Sequence, residues 1–171
     1  EDGTEVFGLL GYEVYKDYDL LFDYGAGMLT LLDPAVTDSC VRRLACGRPV
    51  TEVPVRMEGH VACVEARIGT HTLRLGIDCG AGTDSLRSDL VRRRETTLTG
   101  ADAEVRRVRS GRVKRLTIGD REFRRVPTVF NDMSHLNLSL GHGLDGLIGF
   151  PVLSAQRTVL SYRSGRLIFL P

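Results

Sequence analysis

Between residues 53 and 77 apolar and polar side chains alternate with a period of two. Val53–Met57, Val61–Ile68 and His71–Ile77 each read as a strand with one face toward a core. Glu58-Gly59-His60 and Gly69-Thr70 separate them and read as hairpin turns. The arrangement returns at Arg112–Ile118 and Arg121–Phe130, which flank Gly119-Asp120. Helical patterning is sparse: Asp84–Arg94, part of Met133–Leu140, and a turn or two at Pro151–Gln156, where proline suits the first helical position. Many short strands joined by turn signals predict an all-β fold, a barrel or a sandwich.

The pattern also repeats at long range. Residues 7–32 align without a gap on 145–170, and eight of those 26 positions are identical, among them Gly8/Gly146, Gly11/Gly149, Val14/Val152, Tyr24/Tyr162 and Leu29/Leu167. Each copy has an apolar pair closed by glycine, a short helix, a strand, a glycine turn and a last strand. The second copy ends the sequence, so 55–171 is expected to be a complete lobe and 1–32 the tail of an earlier homologous one, with 33–54 as linker. Residues 1–32 are too few to bury a core alone. Their last two strands are expected to pack against the second lobe.

Composition adds limits. The chain has 171 residues, 42% hydrophobic and 26% charged, the balance of a globular protein, and no apolar run long enough to span a bilayer. It opens on Glu1 rather than Met, as a processed or truncated product would, so the absence of a leader leaves the compartment open. Net charge is +1, yet residues 92–125 hold twelve Lys or Arg against five Asp or Glu. Such a segment can attract nucleic acid, but a solvated strand face is the commoner reason for a charge run. Cys40 and Cys46 are close enough in sequence to pair in an oxidising compartment, and four cysteines make no disulfide scaffold. His60, His71, His135 and His142 are scattered, so neither a metal nor a cofactor is expected.

The chemistry concentrates at Leu75-Gly76-Ile77-Asp78-Cys79-Gly80-Ala81-Gly82-Thr83, where a strand delivers an aspartate into a glycine-bearing bend. Further on, Leu147-Ile148-Gly149 supplies an apolar-apolar-glycine element. Together these residues resemble the pepsin and retropepsin superfamily, and most nearly the bacterial retropepsin-like aspartyl proteases with repeated lobes, over roughly 55–171. The resemblance implies a closed, twisted β-barrel lobe with few short helices. It implies Asp78 as a catalytic aspartate, supported by Cys79, Gly80, Ala81, Thr83, Leu147, Ile148 and Gly149. A flap over the substrate falls at Leu98–Val105, with Gly100, Ala101 and Asp102 at its tip. The substrate is then a polypeptide, and an extracytoplasmic setting is slightly favoured.

The family needs two aspartates, because one carboxylate acts as base on a water while its protonated partner donates to the scissile carbonyl. The second is expected from an upstream homologous lobe or from a second copy across a two-fold axis. Asp23 lies in a similar Asp-x-Gly-Ala-Gly string, but the repeat aligns it with Ser161, so it reads as a strand-end residue. Two features depart from the family: Cys79 stands where Thr or Ser is usual, and no tyrosine marks the flap. The rival readings are a non-catalytic peptide-binding or structural lobe, suggested by Cys79, and, at a distance, a nucleic-acid-binding β-domain using Arg92–Arg125. Asp78 also has the plain reading of a turn aspartate.

Overall fold

A computed structural model describes residues 8, 10–90, 95–99, 105–134, 137 and 143–171. The first part of the chain forms α1 (Tyr12–Tyr15), β1 (Asp19–Asp23), β2 (Met28–Leu32), α2 (Thr37–Ala45), β3 (Thr51–Pro54) and β4 (Arg56–Glu58). Next come β5 (Val61–Ile68), β6 (His71–Ile77), β7 (Asp84–Arg87), β8 (Glu95–Thr99), β9 (Val105–Ile118) and β10 (Arg121–Asn131). The chain closes with β11 (Gly146–Ile148), α3 (Phe150–Leu153), β12 (Thr158–Ser161) and β13 (Arg166–Phe169). The alternating segments 61–68 and 71–77 are strands over the expected bounds. The turns between β4 and β5, β5 and β6, and β9 and β10 each carry a glycine at positive φ (Gly59, Gly69, Gly119), which glycine adopts without a Cβ penalty.

These strands make two sheets. One runs β4-β5-β6-β11-β7-β10-β9-β8, and an added β5–β9 pairing closes its middle into a six-stranded barrel. Closure removes exposed edges from the barrel strands. Val64, Ala66, Leu73, Leu75, Ile118, Phe130 and Ile148 fill it, each worth about 1.5–3 kcal/mol when fully buried, Ala66 less. The fold is thus the all-β closed barrel with few helices that the sequence predicts.

The second sheet, β2-β1-β12-β13-β3, lies against the barrel through Leu20, Phe22, Leu160, Leu167 and Phe169. Its other face takes α2, where Val41 and Leu44 meet Val159, Ile168 and Leu170. The expected packing of β1 against the lobe is realised as an antiparallel β1–β12 ladder.

Two local expectations are corrected, and the open pairing of Cys40 with Cys46 is not formed. Asp84–Leu90 is not an α-helix. Asp84–Arg87 is β7, held between β11 and β10 with Asp84, Ser85 and Leu86 buried, and a 3-10 turn follows at Ser88–Leu90. Tertiary pairing on both sides overrides local propensity there. Segment 33–54 carries α2 and β3 rather than bare linker. Cys40 and Cys46 do not pair: Cys40 is buried on the sheet side of α2, whereas Cys46 is exposed at its left-handed C-cap, and all four cysteines are free. The basic segment behaves as a solvated face where it is described, with Arg115 and Arg124 both paired to Glu122 at 2.9 and 2.5 Å.

Candidate active site

β6 and β11 run parallel, with Gly76 beside Leu147 and Ile77 beside Ile148. The contact is close: a Cβ on Gly76 would come within 2.8 Å of Leu147 and 2.9 Å of Val61. β6 releases Asp78 at its end, where the Asp78 amide donates to the Ile148 carbonyl at 2.9 Å. The chain then bends. Ala81 N–H donates to the Asp78 carbonyl at 3.2 Å, and Gly80 N–H donates to Asp78 Oδ1 at 3.0 Å. Asp78 is half-buried, and its carboxylate is oriented by the backbone of its own loop.

A second set of bonds locks this loop to the 146–153 segment. Phe150 N–H donates to the Ala81 carbonyl at 2.8 Å. Any side chain at Gly149 would place its Cβ 2.6 Å from Ala81 O and 2.9 Å from Thr83 O. Asp84 is buried and accepts from Gly149 N–H at 2.7 Å, while its Oδ2 has no partner among the described residues. Burial pushes the Asp84 carboxyl up to about 7, against the opposing pull of the Gly149 and Val152 amides.

The residues singled out from sequence, Asp78, Cys79, Gly80, Ala81 and Thr83 with Leu147, Ile148 and Gly149, therefore meet in one place. Gly100, Ala101 and Asp102 lie outside the described residues. The arms on either side of them do pair, with Thr99 opposite Val105 in the β8–β9 ladder.

Two residues at this site were not picked out from sequence. One is Asp84. The other is Tyr24, whose hydroxyl donates to the Cys79 carbonyl at 3.2 Å and whose ring meets Phe150 edge-on at 5.3 Å. Its identity with Tyr162 across the repeat was the available signal. Burial first, and then the nearness of Cys79, pushes both tyrosines up to about 12. The Cys79 thiol is raised as well, by desolvation and then by the Asp78 charge, which keeps it protonated and unreactive at neutral pH.

Asp23 is engaged in its own turn. Its Oδ1 accepts from Ala26 N–H at 3.0 Å and closes the β1–β2 turn, as Ser161 Oγ accepts from Ser164 N–H at 3.1 Å in the β12–β13 turn. A cavity of about 680 Å³ opens elsewhere, lined by Arg56, Glu65, Arg67, Arg74 and Asp145 among others, and no residue of 78–83 borders it. Among the described residues no three His, Cys, Asp or Glu side chains gather as a metal site. No helix among them is long and apolar enough to cross a membrane.

No protein-family model matches the chain, and no curated protein matches it. Among solved structures it is similar to a retropepsin-like aspartic protease from Rickettsia conorii, with a TM-score of 0.51 and 18% identity, covering 71% of this chain and 91% of that one. At that identity the likeness shows the fold alone, which is retropepsin-like.

Proposed function

We propose that this lobe supplies one of the two catalytic aspartates of an aspartic endopeptidase, and that Asp78 is that residue. The observation that carries this is the double lock on the 78–83 loop. Asp78 is tied through its amide to Ile148 and through its carboxylate to Gly80, with Gly149 packed against Ala81 and Thr83. A turn aspartate with no task would not need a second, sequence-distant segment to fix it.

In this reading Asp78 and an equivalent aspartate share one proton, since two close carboxylates cannot both ionise. The ionised member takes a proton from a water as that water attacks the scissile carbonyl, and the protonated member donates to the carbonyl oxygen. Cys79, Gly80, Ala81, Thr83, Leu147, Ile148 and Gly149 hold the acid in place, and the resemblance gives Gly100, Ala101 and Asp102 the part of a flap toward a polypeptide substrate. The second aspartate comes from a homologous lobe or a second copy. Residues 1–32 belong, in this scheme, to the end of such a lobe, and 55–171 form a whole one.

Cys79 favours one alternative, a lobe of the same fold that binds peptides or serves structure without cleaving. Cleavage of an unfolded protein at acid pH by the full polypeptide, inhibited by a statine-type transition-state mimic and lost in Asp78→Asn, is expected for the peptidase. Peptide binding with no cleavage, unchanged by Asp78→Asn, would establish the alternative.

A further inference from the structure

β7 opens on a carboxyl group that is sealed from water. Asp84 is 3% exposed and stands beside Thr128 of β10 in the parallel ladder. Gly149 N–H donates to its Oδ1 at 2.7 Å, and Oδ2 is buried with no hydrogen-bond partner among the described residues. The described elements packed on Asp84 bring no counter-charge. β10 presents Thr128, whose hydroxyl already donates to the Val126 carbonyl, and the turn from β11 into α3 presents the Gly149 and Val152 amides. Along its own stretch of chain the titratable neighbours are Asp78 and Cys79 before it and Arg87 after it, and the Arg87 guanidinium is taken by Asp89 and Asp145. A buried carboxylate with one close donor and no cation is far costlier than the neutral acid.

The bond to Gly149 lies in the segment that holds the candidate site. Ile148, just before it, accepts from Asp78 N–H at 2.9 Å, and Phe150, just after it, donates to the Ala81 carbonyl at 2.8 Å. Three consecutive residues thus fasten Asp84, Asp78 and Ala81. The contact has no slack, since a Cβ on Gly149 would lie 2.6 Å from Ala81 O and 2.9 Å from Thr83 O. Whatever displaces Gly149 displaces the Asp78 loop with it.

We propose that Asp84 is a positioning residue for Asp78, and that its ionisation unlatches the 78–83 loop. Neutral, Asp84 accepts from Gly149 N–H and stays in a dry seam between β7 and β11. Ionised, it draws water or further donors toward Oδ2, and Gly149 cannot follow without leaving its contacts with Ala81 and Thr83. Its folded pKa is raised to about 7, so the latch is closed below that pH and opens as pH rises through it. The candidate site then has an alkaline limit that does not depend on the titration of Asp78 itself. The inference rests on the peptidase reading only where activity is the readout.

Nuclear magnetic resonance of the 171-residue chain tests this without substrate, following the amides of Asp78, Ala81, Gly149 and Phe150 from about pH 4 to about pH 9. The four should shift together with one midpoint at about 7. Exchange of the Asp78 and Phe150 amides, corrected for its intrinsic pH dependence, should speed up about ten-fold or more across that midpoint. Asp84→Asn should abolish the shared step and Asp78→Asn should keep it, which separates the latch from the titration of Asp78. In the full polypeptide Asp84→Asn should move the alkaline limb of kcat to higher pH with KM unchanged, whereas loss of a purely structural residue lowers kcat at every pH. No shared step in the wild-type chain overturns the proposal, as does a midpoint in the ordinary carboxylate range, below about 5. Persistence of the step in Asp84→Asn, or an alkaline limb which that variant leaves in place, overturns it too. The amide step is read with no substrate present, so failure of the peptidase reading shows as absent cleavage beside an intact step.

Discussion

The Tyr24 hydroxyl donates to the backbone carbonyl of Cys79 across 3.2 Å, so a residue just ahead of β2 steadies the loop that carries Asp78. The same ring rests against Phe150 at the start of α3, and thus touches both segments of the candidate site. Tyr24→Phe keeps the ring and removes only the donor. A neutral hydrogen bond is worth about 1 kcal/mol net, and a solvent-exposed one less. Stability should therefore fall by about 0.5 kcal/mol, read as a small shift in thermal midpoint. Peptidase kcat of the full polypeptide should fall about two-fold or more with KM unchanged, because a looser loop mispositions Asp78 without removing substrate contacts. Unchanged kcat would remove Tyr24 from the site.

Asp84 sets a pH dependence. Its folded pKa is raised from 3.8 to about 7 by burial, so the folded state holds its proton more tightly than the unfolded chain does. Its contribution to stability is fully present below about pH 4 and is lost as pH rises through 7. The size is a few kcal/mol at most, from about 1.4 kcal/mol per pKa unit. The chain should melt at higher temperature at pH 5 than at pH 8, and Asp84→Asn, which keeps an oxygen for Gly149 N–H, should flatten that difference. A wild-type melting profile that rises steadily from pH 5 to 8 would show that Asp84 does not dominate.

Much of this was readable from the sequence, and the misses have physical causes. β5, β6 and the Asp78 loop follow from local alternation and glycine turns, signals that act over a few residues. β7 is hidden because Asp84 and Ser85 are polar yet buried, and the partners they bond, Gly149 and Asn131, lie far away in sequence. The α2 helix does carry a signal, with Thr37, Cys40, Val41 and Leu44 at helical spacing, obscured by its polar flanks. The repeat identified Tyr24 with Tyr162, but only the β1–β12 register brings Tyr24 to Cys79.

Three glycines of the site should respond differently to alanine. Gly82 has nothing within 4 Å of a new Cβ, so Gly82→Ala should be nearly neutral. Gly149→Ala drives the methyl to 2.6 Å from Ala81 O, a backbone atom that cannot swing aside, and should cost about 1–3 kcal/mol. Gly146→Ala is worse, at 2.1 Å from Ser85 O within the β11–β7 ladder, and should cost more than about 3 kcal/mol. Denaturant midpoints give the order. Equal midpoints for the three variants would mean that the loop and β11 are not locked as described.

Cys79 is the residue at which the sequence departs from the family it resembles, and its backbone carbonyl accepts from the Tyr24 hydroxyl. A threonine hydroxyl there donates and accepts well, whereas a thiol does both weakly. One restored hydrogen bond is worth about 1 kcal/mol, or about five-fold in rate if it acts only on the positioning of the acids. As a monomer the 171-residue chain should not cleave substrate, either with its own Cys79 or as the Cys79→Thr variant, since one chain brings only one candidate aspartate. In the full polypeptide Cys79→Thr should raise kcat up to about five-fold, and Asp78→Asn should abolish cleavage with either residue at that position. Peptidase assays at acid pH on these proteins separate the two claims. Robust cleavage by the 171-residue chain as a strict monomer would overturn the requirement for a partner aspartate. No gain from threonine in the full polypeptide would leave that requirement intact and show that the Cys79 thiol already does what a hydroxyl would do at that position.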